Sequence, residues 1–430
     1  MSILSPTAPA AVAPARQPPS PNTQGGMGIR IKRRLFAVLT GRAVLRPVFA
    51  FFRRFAPLAR LGSRVVVSRH ADVREVLARD EDFVIAPVNG PGIERINGPF
   101  ILAMDRGPEY DRDHAALRAA ARREDEARVR DLARDAAARA VDAARPQHRM
   151  EVVQCLTRAV PAELVERYFG FPGPDRTTLE RWLRNLFQDA FLNSFDDPFV
   201  RAAAVQSAAE LRAWALPHIA ARRAEGTLGA GDVLGRLIAL GASQPWADDD
   251  WVRRNIAGLV VGAVDTISRF SVLAMDELLR RPRELAGAQA AARAGQMDVV
   301  RQYAWEAVRF NPHTPLMARR CARDTVLAAG TPRERTVPAG ASMLIGTLSA
   351  MFDAEGFPEP RRFRIDRDVR AYLHFGGGMH QCFGLGINLV VIPEIVGALL
   401  RLPNLRRAPG RAGHVALDGP FPERLVLDFD

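Results

Sequence analysis

The chain has 430 residues with 60 Lys and Arg against 48 Asp and Glu, a formal net charge of +12, and its composition is that of an ordinary folded protein. Residues 1–62 hold ten basic groups and no acid, whereas the other 368 residues hold 50 basic and 48 acidic groups. A nearly neutral body excludes an extended nucleic-acid platform. Three widely spaced cysteines, Cys155, Cys321 and Cys382, exclude a disulfide framework and a CxxC zinc site.

The N-terminal region divides into a tail and an arm. Residues 1–27 are rich in Pro, Ala, Ser and Gln, which predicts a disordered tail. Because no charged segment precedes an apolar one, we predict no signal peptide and expect a cytoplasmic protein. Residues 28–62 form a basic amphipathic arm. Its apolar stretch, Leu35–Phe52, is interrupted by arginines and a proline and is not expected to span a bilayer.

Two interpretations of residues 28–60 are open, because basic groups alternate there with Leu, Val and Phe at partly helical spacing. In the first, a helix packs its apolar face on the body and exposes its arginines to solvent. In the second, the segment lies on an anionic membrane or on a partner protein.

Residues 63–430 predict a single body that is mostly α with a minor β portion. It begins with a short strand, a turn and a helix that opens near His70. Residues 316–375 predict short strands and turns. The stretch 248–280 is apolar nearly all round in its middle, which indicates one long helix through the core. The other helices predicted from periodicity cover 114–145, 150–170, 176–192, 199–224, 297–310 and 384–401, the last kinked at Pro393.

The residues most typical of a ligand-binding or catalytic site lie together in HFGGGMHQCFG, residues 374–384. Consecutive glycines allow backbone conformations closed to other residues and a close approach to a flat ligand. Cys382 follows them just before an apolar helix, where a helix N-terminus favours a thiolate. Two other interpretations of the loop are a glycine turn with an inert buried cysteine, and a zinc site of His374, His380 and Cys382 that lacks a fourth ligand nearby.

The loop resembles the haem-ligand signature F-x-x-G-x-H-x-C-x-G of the cytochrome P-450 superfamily, through Phe375, Gly378, His380, Cys382 and Gly384. The resemblance implies a helical prism around a buried haem b. It implies Cys382 as the thiolate ligand of the iron and His380 as a donor to a haem propionate. Phe375 and Gly376 are implied as further cofactor contacts.

Two more motifs match the family in order and spacing. Glu306 and Arg309 form E-x-x-R on one face of a helix. The segment FPEPRRF, residues 357–363, resembles P-x-R-F, whose arginine, here Arg362, is implied to join the Glu–Arg pair in a buried triad.

The long helix carries Gly262-Ala263-Val264-Asp265-Thr266, which resembles the family element A/G-G-x-D/E-T. Small residues leave room for dioxygen beside the helix, and the acid and the alcohol can handle protons. We therefore expect Asp265 and Thr266 to be catalytic. Taken alone, the pair would be an ordinary back-bonding Asp-Thr in a helix. Ala263 stands where the family has its second glycine.

Cationic contacts to the haem propionates are implied at three more positions. His114 and Arg118 match H-x-x-x-R, and Arg319 matches the arginine of R-x-A-x-x-D, with its neighbour Arg320 as the alternative.

The resemblance implies a monooxygenase that inserts one atom of O2 into a hydrophobic small molecule, by hydroxylation or epoxidation, with electrons from a ferredoxin or similar donor. The implied substrate wall consists of Ala263, Pro315, Leu316 and Met317, with more of it from the loop 88–102. Two alternatives stay open: a peroxide-dependent or isomerising haem-thiolate enzyme, and a non-catalytic haem protein recruited to a biosynthetic complex.

Overall fold

The computed structural model describes residues 19–226 and 231–430, and these fold mainly into α-helices with four small sheets. The α-helices of the described residues are α1 Met27–Leu39, α2 Arg42–Phe55, α3 His70–Ala78, α4 Ala86–Ile96, α5 Pro108–Ala120, α6 Glu126–Ala144, α7 Ala159–Arg167, α8 Arg176–Phe187, α9 Pro198–Ala224, α10 Val233–Leu240, α11 Asp249–Val261, α12 Val264–Leu278, α13 Pro282–Arg293, α14 Met297–Phe310, α15 Thr347–Ala350 and α16 Leu385–Leu400. The mostly α prediction is confirmed.

The strands are short and come mainly from the two ends of the body. They are β1 Leu58–Leu61, β2 Arg64–Val67, β3 Phe83–Val84, β4 Arg149–Glu151, β5 Met317–Cys321, β6 Thr325–Leu327, β7 Arg335–Val337, β8 Ser342–Ile345, β9 Arg406–Arg407, β10 Ala416–Asp418, β11 Phe421–Arg424 and β12 Val426–Asp428. The largest sheet has the order β1-β2-β8-β5-β3, and only its β2–β8 pair is parallel.

The core lies where α12, α14 and α16 pack on one another, with α6 against α16. The apolar sequence of α16 makes this possible, because every residue from Val390 to Leu400 is buried. The helix continues through Pro393 to Leu400, so the predicted boundary at this end is confirmed.

The long helix predicted at 248–280 is interrupted. It stops at Val261 and resumes at Val264, so α11 and α12 are separated by Gly262 and Ala263. The Thr266 hydroxyl donates a hydrogen bond to the Gly262 carbonyl oxygen four residues back. Bonds of this type compete with the helix ladder and often bend helices, which is the physical reason for the break.

The predicted tail and arm need correction at their boundaries. Residues 1–18 of the tail lie outside the described residues, but residues 19–27 are ordered against the body. Ser20 Oγ bonds to both carboxylate oxygens of Asp418 at 2.9 and 2.8 Å, and Pro21 is buried. The arm ends at Phe55, because β1 already pairs with β2 and belongs to the body.

Two segments of the described chain have the length and apolar character of a membrane span. One is α11 with α12, whose most apolar 18-residue stretch is 61% buried inside the protein, as expected of a core helix. The other is the pair α1 and α2, which are bent by 51° relative to each other.

Candidate functional site

The glycine loop before α16 holds Cys382 in a fixed position. Gly376 and Gly378 have φ values of +69° and +67°, which glycine adopts without strain. A Cβ on Gly378 would lie 1.9 Å from the Leu77 carbonyl oxygen, so no other residue fits there. The Cys382 amide donates to the Phe375 carbonyl oxygen at 2.9 Å, which closes the loop.

The Cys382 thiol lies deep in the protein and yet keeps accessible surface, so it borders internal space. Burial raises the pKa of this thiol, and the Gly384 amide and the Arg118 guanidinium lower it by less. α16 begins three residues later, and desolvation is the larger effect on the pKa of this thiol. A thiolate here needs a cation on its open side.

The break between α11 and α12 also borders open space. Gly262 is exposed although it lies mid-way along a core helix, and a Cβ there would meet no atom within 4 Å. Within α12 only Thr266, Arg269 and Leu273 keep intermediate exposure among the residues before Leu278, at spacings of three and four. This spacing places them on one face of the helix, so the predicted alcohol faces unfilled space.

Asp265 points elsewhere. Its carboxylate is 3% exposed, and its Oδ1 accepts hydrogen bonds from the guanidinium groups of Arg158 and Arg184. Its Oδ2 is buried without a partner among the described residues. Arg184 continues outward to the Glu423 carboxylate at 2.8 Å, which is 45% exposed. The sequence did not reveal Arg158 and Arg184, since no motif marks them.

The predicted propionate contacts collect on one side of Cys382. His114 stacks on Tyr110 with ring centres 5.4 Å apart, and Tyr110 meets His380 edge-on at 5.7 Å. Arg118 donates to the Phe383 carbonyl oxygen at 3.0 Å and lies 3.9 Å over the Phe383 ring. Tyr110 was not predicted from the sequence.

Of the two β5 arginines predicted as contacts to a haem propionate, Arg319 fits that role better than Arg320. The Arg319 side chain is buried, its one hydrogen bond within the described residues goes to the neighbouring Ala318 carbonyl oxygen, and burial lowers its pKa to about 10. Arg320 follows it directly and donates to the exposed Gly340 carbonyl oxygen. Successive strand residues point to opposite faces, so only Arg319 can point inward with the cluster.

These groups fit a haem, whose iron would take the Cys382 thiolate and whose carboxylates would meet the buried donors. The His380 Nδ1 atom is buried with no partner in the described chain, and Arg319 has no bonded acid there. Burial lowers the pKa of His380 to about 4, so its ring is neutral at pH 7. Carboxylates of a haem would supply the missing acceptors for these donors.

The zinc alternative does not agree with the geometry. The His374 ring lies buried against the carbonyl oxygen of Trp305, to which its Nε2 is 2.9 Å away. The described residues contain no group of three or more His, Cys, Asp or Glu that could hold a metal ion. Phe375 instead stacks on Phe270, with the ring centres 5.7 Å apart, and lies between the loop and the core.

The Glu–Arg pair is confirmed, but its predicted third member is wrong. Glu306 and Arg309 are fully buried and share two bonds of 2.8 and 2.7 Å. Arg362 is 73% exposed and pairs with Glu359, because only its backbone carbonyl turns toward Arg309. The side chain that joins the pair is Arg367, 5% exposed and 3.2 Å from Glu306.

Sequence analysis also missed Tyr372, whose hydroxyl donates to Glu306 at 2.8 Å. Neither Arg367 nor Tyr372 is marked by the spacing of E-x-x-R, and several arginines between 357 and 372 compete for the role. The contact can be assigned only once the chain has folded around Arg309.

The predicted substrate wall is only partly in place. Ala263 lies at the helix break beside open space, and Met317 reaches to within 3.4 Å of a Cβ built on Gly376. Leu316 does not belong to the predicted substrate wall, because it packs on a separate apolar cluster beneath α2. Pro315 accepts a backbone bond from Leu348. The predicted loop 88–102 is largely the helix α4.

Arg269 is a further residue that the sequence analysis passed over. It lies one turn after Thr266 on the same face, and no hydrogen bond or ion pair of its side chain occurs in the described chain. Burial lowers its pKa to about 10. Arg269 is the one basic residue of α12, and this was the available signal. Such a guanidinium is suited to meet an anionic group beside the helix.

Comparisons with known proteins agree with this geometry. Residues 248–411 match the Cytochrome P450 family. The chain is 30% identical over 280 residues to Cyclomarin C epoxidase CymV of Salinispora arenicola, covering 60% of this chain and 65% of that protein. It is 36% identical over 124 residues to Psi-producing oxygenase A of Aspergillus fumigatus, 29% of this chain but only 11% of that much longer relative. The crystal structure of CalO2 matches with a TM-score of 0.76 and 21% identity, over 90% of this chain and 96% of that one.

Proposed function

Since the chain belongs to the cytochrome P450 superfamily, we propose that it is a cytoplasmic haem-thiolate monooxygenase that inserts one atom of O2 into a hydrophobic small molecule. Electrons would come from a separate donor such as a ferredoxin. Haem b, the cofactor of the family, supplies the activation of O2 when it is bound. The observation that carries the proposal is the Thr266 hydroxyl beside the helix break, next in sequence to the buried Asp265 and on the helix that packs against α16 behind Cys382.

The chain would hold the cofactor through groups that now lack partners. Cys382 would be the thiolate ligand of the iron, Arg319 and Arg118 would neutralise the propionates, and His380 and His114 would hydrogen-bond to them. Gly376 and Phe375 would form the floor against which the flat group rests, because the loop backbone there is glycine and its next layer is the Phe270 ring.

Thr266 would position a proton at its Oγ1 atom. In the structure this hydroxyl donates to the Gly262 carbonyl oxygen, at the helix break and toward open space. Its remaining lone pairs are free to accept from a water in that space. The break therefore presents a hydroxyl with free lone pairs beside open space, held in place by its bond to the Gly262 carbonyl oxygen.

Asp265 would supply protons from the opposite side of α12. A chain of contacts runs from solvent at Glu423 through Arg184 to Asp265. To reach the Thr266 side, the carboxylate must release Arg158 and Arg184, and such buried pairs are costly to break, by about 3–5 kcal/mol. We infer that this release gates proton delivery.

The test is spectroscopic and chemical. Reduced protein with carbon monoxide should give a thiolate-type Soret band, which Cys382→Ala abolishes and Cys155→Ala, at an exposed cysteine, leaves unchanged. Turnover should require NADPH-fed ferredoxin and O2. Equal turnover with peroxide alone would contradict the monooxygenase proposal, and a normal Soret band without any oxygen insertion across a broad substrate panel would favour a non-catalytic haem protein.

A further inference from the structure

The two helices of the arm carry most of the exposed large apolar side chains of the described chain. Of fourteen such residues, eight lie between 27 and 55. They form what we call the arm surface: Met27, Ile31, Leu35, Val38, Leu39, Val48, Phe51 and Phe55, all between 41% and 71% exposed. Single exposed apolar residues are ordinary, whereas a contiguous patch marks an interaction site.

The arm surface follows helical periodicity. On α1 its members recur every three or four residues, from Met27 to Leu39, and on α2 Val48, Phe51 and Phe55 do the same. Each set therefore forms one stripe along its helix. No residue of α1 is buried.

The opposite faces fix the arm to the body. Leu45 and Phe49 of α2 are buried in an apolar cluster with Val66 and Leu348. On α1, Arg33 bonds to Asp197 at 2.7 Å, and Phe36 meets Phe195 at 4.3 Å. The first interpretation of the arm, a helix packed on the body, thus holds for one face of α2 and, through Arg33 and Phe36, for part of α1. The other face of α2 is exposed to solvent, while the buried Leu45 and Phe49 hold the helix on the body.

The polar borders of the arm surface are cationic without exception. Arg30, Lys32 and Arg34 of α1 and Arg54 of α2 are exposed, and they form no ion pair within the described residues. At 100° per residue, Lys32 and Arg34 lie on opposite edges of the α1 stripe. Apolar side chains flanked by cations are the pattern of helices that lie in a membrane interface.

A cavity of about 400 Å3 lies along the edge of α2 between its buried and exposed faces. Four arginines line it, Arg46, Arg53, Arg281 and Arg361, over a floor that includes Phe310. No acid lines this cavity, and the Nε atom of Arg46 is buried without a partner in the described chain. The chemistry suits a phosphate group.

We propose that α1 and α2 dock the protein on an anionic phospholipid bilayer. The arm surface enters the acyl boundary, the cations at its borders meet anionic headgroups, and the arginine-lined cavity takes a lipid phosphate. The interaction is peripheral, because α2 is attached to the body through Leu45 and Phe49 and the pair carries eight basic residues. An acidic partner protein would match the charge but would not require so wide an apolar stripe.

The test uses the full chain and large unilamellar vesicles, either phosphatidylglycerol with phosphatidylethanolamine or phosphatidylcholine alone, in a flotation assay. We expect flotation with the anionic vesicles and little with phosphatidylcholine. Phe51→Ser with Phe55→Ser should weaken partitioning about ten-fold or more. The matched control is Leu417→Ser, 63% exposed but on β10, which should not change it. A normal Soret band and thermal unfolding curve show that each variant is folded.

Three results would overturn the proposal. The first is no flotation with anionic vesicles at low salt. The second is flotation that the Phe51 and Phe55 substitutions leave unchanged. The third is displacement by millimolar inorganic phosphate beyond that by chloride of equal ionic strength, which would make the cavity a site for free phosphate. Replacement of Arg46 by Gln should reduce the preference for anionic vesicles, and an unchanged preference would remove the cavity from the docking surface.

Discussion

Two helices of this chain differ in what they bury: the apolar α16 lies in the core, and the basic amphipathic α1 lies on the surface. α16 buries every residue from Val390 to Leu400 and holds the cysteine loop at its start, whereas α1 buries none. Charges follow the same division: Glu306 and Arg309 are fully buried and paired, while Arg54 and Lys32 are exposed and unpaired in the described chain. In the body, apolar and charged side chains are buried around the candidate site, whereas in the arm they are exposed to solvent.

The strongest test of the buried side of this contrast is Glu306→Ala. The carboxylate accepts from Arg309, Tyr372 and the Arg364 amide, so its loss leaves Arg309 buried and unpaired. We expect a loss of about 3–5 kcal/mol in the free energy of unfolding and no stable haem spectrum. The control is Arg362→Ala, which should change stability by no more than about 0.5 kcal/mol. Equal losses in urea unfolding would restore the triad predicted from sequence.

Arg362 was wrongly predicted as the partner of Glu306 because that contact depends on residues far apart in the sequence. Local patterns sufficed for the helix Met297–Phe310, for the start of α3 at His70 and for the order of the motifs, since each depends on neighbours in sequence. The partner of Glu306 depends on how residues 357–372 turn over Arg309, and several arginines there have the same local pattern. Asp265 was likewise identified by its motif, but its two arginines come from distant helices.

Asp265→Asn tests whether the buried charge network works in catalysis or only in folding. We expect turnover to fall by about 10²–10⁴, the range of general acid–base catalysis, with an unchanged Soret band. The measurement is product formed per haem with saturating ferredoxin. Thr266→Ser keeps the hydroxyl and serves as the control, with a smaller loss. A variant that melts earlier but turns over normally would assign Asp265 a structural role alone.

The two faces of α2 can be compared within one helix. Phe49 is 4% exposed and Phe51 is 58% exposed, two residues further along. Phe49→Ala should lower the free energy of unfolding by about 3–5 kcal/mol through the cavity it leaves. Phe51→Ala should change it by no more than about 0.5 kcal/mol. Similar effects in chemical unfolding would mean that the exposed stripe is also packed, and the contrast between arm and body would fail.

The smallest expected effect has the opposite sign. Arg269 lies on the half-buried face of α12 and has no partner in the described chain, so the desolvation of its charge opposes folding. Arg269→Leu should therefore raise the free energy of unfolding of the ligand-free protein, on the order of 1–3 kcal/mol. Arg253 of α11 is also buried, but it bonds to Asp250 and to the Asn97 carbonyl oxygen, so Arg253→Leu should destabilise. A loss of stability in Arg269→Leu would show that this guanidinium already has a partner. A gain would indicate that the charge of Arg269 serves ligand binding, because a partly buried charge that has no partner in the described chain otherwise only destabilises the fold.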